Sequence, residues 1–173
     1  MPSFFNTITY QSHYRKAAHY QAVATAFNHV ERKITDLEQW PSLAALGALL
    51  KQPKKFITPH SSDDYLFTLD FSVALCGIAT VLPKLLQQLA EELVSLIDQM
   101  CEEHILSDRI NNIRRLIPVH QKNLPSHIDW DSATAINPII SLLNCTYWFL
   151  RELGVAQLEL VMPKPSCIYE VVR

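Results

Sequence analysis

Four carboxylates fall within one amphipathic stretch of this chain: Glu91, Glu92, Asp98 and Glu102. Glu91, Asp98 and Glu102 follow one another at spacings of seven and four, which puts them on one face of a helix. Carboxylates aligned in this way can hold a divalent cation, whose Lewis acidity would serve hydrolysis of a phosphate ester or anhydride. The ordinary reading of the same residues is the solvated face of an amphipathic helix. Cys101 and His104 form a C-x-x-H pair, a thiolate and an imidazole at the spacing of two zinc ligands. No second pair accompanies them. His29, His60, His120 and His127 are scattered, and a buried thiol with a helix-terminal histidine accounts for the pair. No G-x-S-x-G elbow is present to set up a nucleophile. His19 and His29 lack the surroundings of a phosphate-accepting histidine.

Glu91-Glu92 followed by Asp98 resembles the second acidic motif of all-α nucleotide pyrophosphohydrolases. The resemblance implies Mg²⁺ held against a triphosphate by helix-borne carboxylates. Such enzymes also carry a first acidic pair on a preceding helix, and here Glu31 and Glu38 have the wrong spacing for it. Without that pair, no catalytic residue, cofactor or metal site is assigned from the sequence.

Other classes are excluded by what is missing. There are 3 glycines, Gly47, Gly77 and Gly154. Loops that cradle phosphates need several close together, so that backbone N–H groups approach the ligand. A P-loop, a dinucleotide fingerprint and a kinase-type loop are all ruled out. With 15 basic and 17 acidic side chains the formal net charge is -2, which gives no basic footprint for nucleic acid. The small groups Lys51, Lys54, Lys55 and Arg109, Arg114, Arg115 read as solvated surface. The four cysteines, Cys76, Cys101, Cys145 and Cys167, make no C-x-x-C pair, and their apolar neighbours suggest buried free thiols in a reducing cytoplasm. The first sixteen residues do not read as a signal peptide. The apolar run from Tyr65 to Leu82 contains Asp70 and is followed by Pro83, which favours a buried core segment over a membrane span.

The elements that must position these groups are mainly helical. Residues 1–11 are aromatic and β-branched and suit an extended segment. A helix over residues 12–37 carries the stripe Tyr20, Val23, Phe27, Val30, Ile34, Leu37, and Trp40-Pro41 reads as its end. A short helix over residues 42–50 is weakened by Gly47. Lys51 to Asp64 is a loop of fourteen residues, long for a connection inside a domain. Residues 65–73 alternate like a strand, yet the polar run before them is a helix N-cap signal, and helix is the preferred reading. The strongest amphipathic pattern runs from Lys84 to His104, with Leu86, Leu89, Leu93, Leu96 and Met100 on its apolar side. Ser107 caps a further helix to Ile117, and residues 118–126 form a second loop. The best-marked element is Asn137 to Gly154, with an N-cap Asn, Pro138 at the first helical position and a closing Gly. Its apolar residues, Leu143, Tyr147 and Leu150 among them, occupy two stripes and place it at the centre of the core.

After Gly154, Leu158, Leu160 and Met162 alternate with polar or branched neighbours. A Pro-Lys-Pro-Ser turn follows, then Ile168, Tyr169, Val171 and Val172, which reads as a β-hairpin. The expected fold is therefore one globular domain over residues 1–173, a compact, mainly α helical bundle with a short C-terminal β-hairpin. The alternative is α+β, with 65–73 as a strand. The expected function is a non-enzymatic, cytoplasmic interaction module whose partner is another protein or a second copy of itself, with no nucleic acid, membrane span or cofactor. The hairpin residues Leu160, Met162, Ile168, Tyr169 and Val171 are the candidate partner-binding set, since an unpaired strand edge invites pairing. The Mg-dependent hydrolase built on Glu91, Glu92, Asp98 and Glu102 is the alternative.

Overall fold

The computed structural model describes residues 4–34, 37–56, 69–103 and 107–161. Six α-helices follow one another: α1 Phe4–Glu31, α2 Pro41–Lys54, α3 Leu69–Ile78, α4 Val81–Glu103, α5 Asp108–Lys122 and α6 Ala133–Val161, with a 3₁₀ turn at Leu37–Gln39 before α2. No strand occurs among the described residues. The mainly α reading therefore holds.

The packing follows from the apolar stripes. On α1, Tyr20, Val23, Phe27 and Val30 are buried, while Ile34 and Leu37 lie beyond the helix and are only partly covered. On α4 the fully buried row is Leu82, Leu86, Leu89, Leu93 and Ile97, with Leu96 and Met100 at its margin. A row spaced four, three, four and four apart drifts slowly around a helix, so α4 meets α2, α5 and α6 in turn. The last helix, α6, packs chiefly on α1 and α5 and buries Ile139, Leu142, Leu143, Phe149 and Leu150. Tyr147 is only half-buried. α3 lies on α2 and α4.

Aromatic residues tie one end of the bundle together. The Tyr20 ring meets Phe71 of α3 edge-on at 5.6 Å and Trp130 at 6.2 Å. The Tyr20 hydroxyl donates to the carbonyl of Leu50, near the end of α2. The Trp130 indole donates to the Leu75 carbonyl at 2.9 Å, and the Ile128 amide donates to that of Ala79 at 2.9 Å. Both acceptors lie at the end of α3, where a helix has carbonyls without internal partners. Contacts of α1 and α6 advance together: Arg15 meets Asp131, just before α6, and farther along His29 and, just past α1, Lys33 meet Tyr147. The two helices therefore run in the same direction.

Several sequence-based boundaries are corrected. α1 begins at Phe4, so residues 4–10 are helical and not extended. It ends at Glu31, well before Trp40, and Pro41 opens α2, where a missing N–H costs nothing. Leu69 to Val73 are helical, which removes the strand alternative for these five residues; residues 65–68 lie outside the described residues. A strand would bury Leu69 and Val73 with Phe71, whereas the helix buries Phe71, Leu75 and Ile78 and leaves Leu69 and Val73 out. α5 passes through Pro118 to Lys122. Pro118 is exposed, so the missing hydrogen bond falls on the solvent side while Ile110, Ile113 and Ile117 are buried on the other.

α6 starts a turn earlier than expected. Ser132, not Asn137, stands before it, with its hydroxyl 3.4 Å from the Ala135 amide, and Pro138 lies inside the helix. α6 also continues past Gly154 to Val161, because Ala156, Gln157, Leu158 and Glu159 favour helix and outweigh one glycine. Leu158 and Leu160 are thus helical, where the hairpin pattern has them extended. The rest of the expected hairpin, from Met162 on, lies outside the described residues.

Candidate functional site

The carboxylates of α4 do not converge. Glu92 accepts a hydrogen bond at 2.5 Å from Ser42, a buried serine in the first turn of α2. Trp40, at the cap position of α2, supplies no side-chain cap, and Glu92 brings the negative charge that a helix amino end favours. Asp98 faces α5 and is held by Arg114, with Nε 2.9 Å and an Nη 3.3 Å from its two oxygens. The guanidinium holds the Asp98 carboxyl below its ordinary range. Glu91 is exposed, two turns back along the same side. Glu102 has a helical backbone, but its side chain lies outside the described residues.

Glu91 and Asp98, with Ser95 and Gln99, form one wall of an open groove of about 510 Å³. Arg114, Pro118 and Gln121 of α5 form part of the other wall. Among the described residues, no three His, Cys, Asp or Glu side chains gather as a metal site. The C-x-x-H pair cannot be placed, since His104 and the Cys101 side chain lie outside the described residues. Cys145 is buried and its thiol is pushed up to about 11 by burial. Cys76 is exposed, against the expectation of a buried thiol, because α3 is apolar on more sides than its neighbours cover.

Polar groups elsewhere are committed to architecture. Arg15 and Ser12 both donate to Asp131, at 2.5 and 2.9 Å. The Arg15 guanidinium, aided by Ser12, holds the Asp131 carboxyl low. His19 has Nδ1 2.5 Å from the Trp130 carbonyl. A carbonyl only accepts, so that nitrogen carries the hydrogen.

Near the C-terminal end of α1, against the middle of α6, a different cluster is exposed. Trp148 is 41 % exposed, although the helix that bears it packs on both α1 and α5. Its ring meets Tyr147 edge-on at 5.5 Å, and the Arg151 guanidinium lies over it at 5.0 Å. The Lys33 ammonium lies 5.8 Å from the Tyr147 ring, and the His29 ring is at 6.3 Å. Cations over aromatic faces are attracted by the ring quadrupole. The sequence shows Trp148 and Arg151 one helical turn apart. The approach of α1 to Tyr147 is what sequence reasoning missed, since it needs the parallel pairing of the first and last helices.

Of the candidate partner-binding set, Leu160 is in the last turn of α6 with its side chain outside the described residues, as are Met162, Ile168, Tyr169 and Val171 altogether. No single helix among the described residues is long and apolar enough to cross a membrane. The chain matches no protein-family model, no curated protein and no solved structure.

Proposed function

We propose that this chain is a non-enzymatic interaction module, binding another protein or a second copy of itself through the surface that carries Tyr147, Trp148, Arg151 and Lys33. The observation that carries the reading is Trp148, a large indole left exposed with an arginine stacked on it and a tyrosine at its edge. Trp, Tyr and Arg are the side chains most enriched at binding hot spots. An aromatic already fixed by its neighbours costs little entropy when a partner covers it.

Two measurements test the proposal. Light scattering at increasing concentration reads self-association, and affinity capture with quantitative mass spectrometry reads other partners. The double change Trp148→Ala, Arg151→Ala is expected to abolish the dimer or the captured partner while the melting temperature stays near that of the parent. Removal of residues 163–173 is expected to weaken the same association. A partner retained by both variants would overturn the proposal.

The Mg-dependent hydrolase reading keeps one observation in its favour: Glu91 and Asp98 share the α4–α5 groove. It requires a protein stabilised by millimolar Mg²⁺ through mass action, with the effect lost in Glu91→Gln, Asp98→Asn. The interaction module requires no such shift.

A further inference from the structure

Lys33, Tyr147, Trp148 and Arg151 form one continuous surface, because each touches the next. The Lys33 ammonium lies 5.8 Å from the Tyr147 ring, that ring meets Trp148 at 5.5 Å, and the Arg151 guanidinium lies over Trp148 at 5.0 Å. Lys33, Trp148 and Arg151 are all exposed. Both cations rest on rings, and neither forms an ion pair with a carboxylate among the described residues. The carboxylates close by in sequence are committed elsewhere. Glu31 is the acidic residue of α1, and its Oε2 lies 3.6 Å from the place of a β-carbon on Gly47, so it is turned towards α2. Glu152 follows Arg151, but its side chain is mostly covered and is bridged at 3.3 Å by Arg109 of α5. The surface therefore carries one positive charge at each ring of an aromatic pair. Among the described side chains of α1 and α6, no carboxylate is left over to balance them.

That imbalance specifies the chemistry of an occupant. A guanidinium stacked on an indole keeps its in-plane N–H groups, and the planar fork matches a carboxylate. Arg151 is already held by the ring, so it loses little freedom when a carboxylate arrives. Lys33 adds a second point charge, and Trp148 adds apolar area beside them. The complementary ligand has carboxylates flanking an apolar or aromatic side chain. A second copy of this chain does not supply that. In a two-fold pair the same patch meets itself, so cations would face cations, and like charges brought together at an interface oppose association. Nucleic acid is the other polyanion, but two cations on a chain of net charge -2 are a small footprint for a phosphate backbone.

We infer, resting on the role proposed above for this surface, that its occupant is an acidic segment of another protein, in which Asp or Glu flanks an apolar anchor that covers Trp148. Selection from a random dodecapeptide library displayed on phage, against the full chain and against Trp148→Ala, tests it. Peptides that depend on Trp148 are expected to be enriched in Asp and Glu around a Leu, Phe or Trp. Synthesised and measured by fluorescence anisotropy, they are expected to bind Arg151→Gln about tenfold more weakly than the parent, and to weaken as salt is raised. Lys33→Glu, Arg151→Glu is expected to turn the selection towards Lys and Arg. Lys33 and Arg151 are exposed, so their variants keep the fold, and circular dichroism checks every variant. Trp148-dependent peptides without acidic enrichment would overturn the inference and leave the interaction surface standing. A selection that yields no Trp148-dependent peptide would overturn it too, and light scattering and capture then decide whether the surface binds any partner. Self-association that needs Trp148, or Trp148-dependent binding of an oligouridylate in place of the peptides, would assign the surface to a second copy or to nucleic acid instead.

Discussion

Tyr20 ties three helices and the loop before α6 together through one side chain. Its ring joins α1 to α3 and to Trp130, and its hydroxyl reaches the end of α2. Burial pushes its phenol up to about 12, against a hydrogen bond with the Lys54 backbone that pulls the other way. Burial likewise raises Cys145 from 9.0 to about 11. Both groups are held neutral in the folded state above the pH at which the unfolded chain releases the proton. The unfolded chain then binds fewer protons, so stability falls as pH rises. The loss sets in near pH 9 for Cys145 and near pH 10 for Tyr20, and is complete near 11 and 12. Urea midpoints between pH 8 and 12 are expected to fall through that window. Tyr20→Phe is expected to be less stable at pH 8, having left the Leu50 carbonyl without its donor, but to lose less on further titration. At this scale the sequence was legible as to type: Tyr20 was read as core. That its hydroxyl finds α2 was not legible, since a contact across thirty residues leaves no local signal.

At the scale of elements, the places where sequence reasoning and structure part are prolines and glycines. Pro118 and Pro138 were read as a boundary and a first helical position, and both lie inside helices. A proline in a helix interior costs about 3 kcal/mol, which is less than a buried stripe such as Ile110, Ile113 and Ile117 returns. Local propensity is visible in a sequence, and the neighbour that covers a stripe is not. The glycines show the same division. Gly47 was read as a weak point in a helix, but it admits the Phe27 ring: a β-carbon there would lie 3.2 Å from its Cζ. Gly154 was read as a terminus, and its surroundings are open. Opposite effects are expected. Gly47→Leu should destabilise by about 1–3 kcal/mol through overpacking, while Gly154→Ala should stabilise by about 0.5–1 kcal/mol through helix propensity. Denaturant titration of the two variants beside the parent reads both signs. The carboxylates were legible as a helix face, Glu91 and Asp98 exposed as supposed, but Glu92 belongs to Ser42, a partner supplied by another helix.

For the whole molecule, the buried residues of all six helices form one cluster running from Ala17 to Leu150. Such a chain is expected to unfold in a single transition, with helix content and aromatic fluorescence lost together. Leu143, 1 % exposed in α6, should on truncation to Ala cost about 2–5 kcal/mol without splitting that transition. Separate transitions for α1–α3 and α4–α6 would show two units where one core is expected.

The parallel pairing of α1 with α6 also sets the order of events at the ribosome. Arg15 and Asp131 are 116 residues apart in sequence. At the roughly 5–20 residues per second of translation, α1 emerges on the order of ten seconds before the helix that covers it. During that interval its apolar stripe has only α2, the 3₁₀ turn and, at Tyr20, Phe71 of α3 for shelter, and any holding chaperone would meet the nascent chain there. The same order means that a chain truncated before residue 133 keeps five helices and loses the surface on which its first one rests. Such fragments should be the aggregating species in interrupted synthesis, and a circular permutant that makes α6 first and reaches α1 through a linker long enough to run back along the pair, about 40 Å, should shorten the wait.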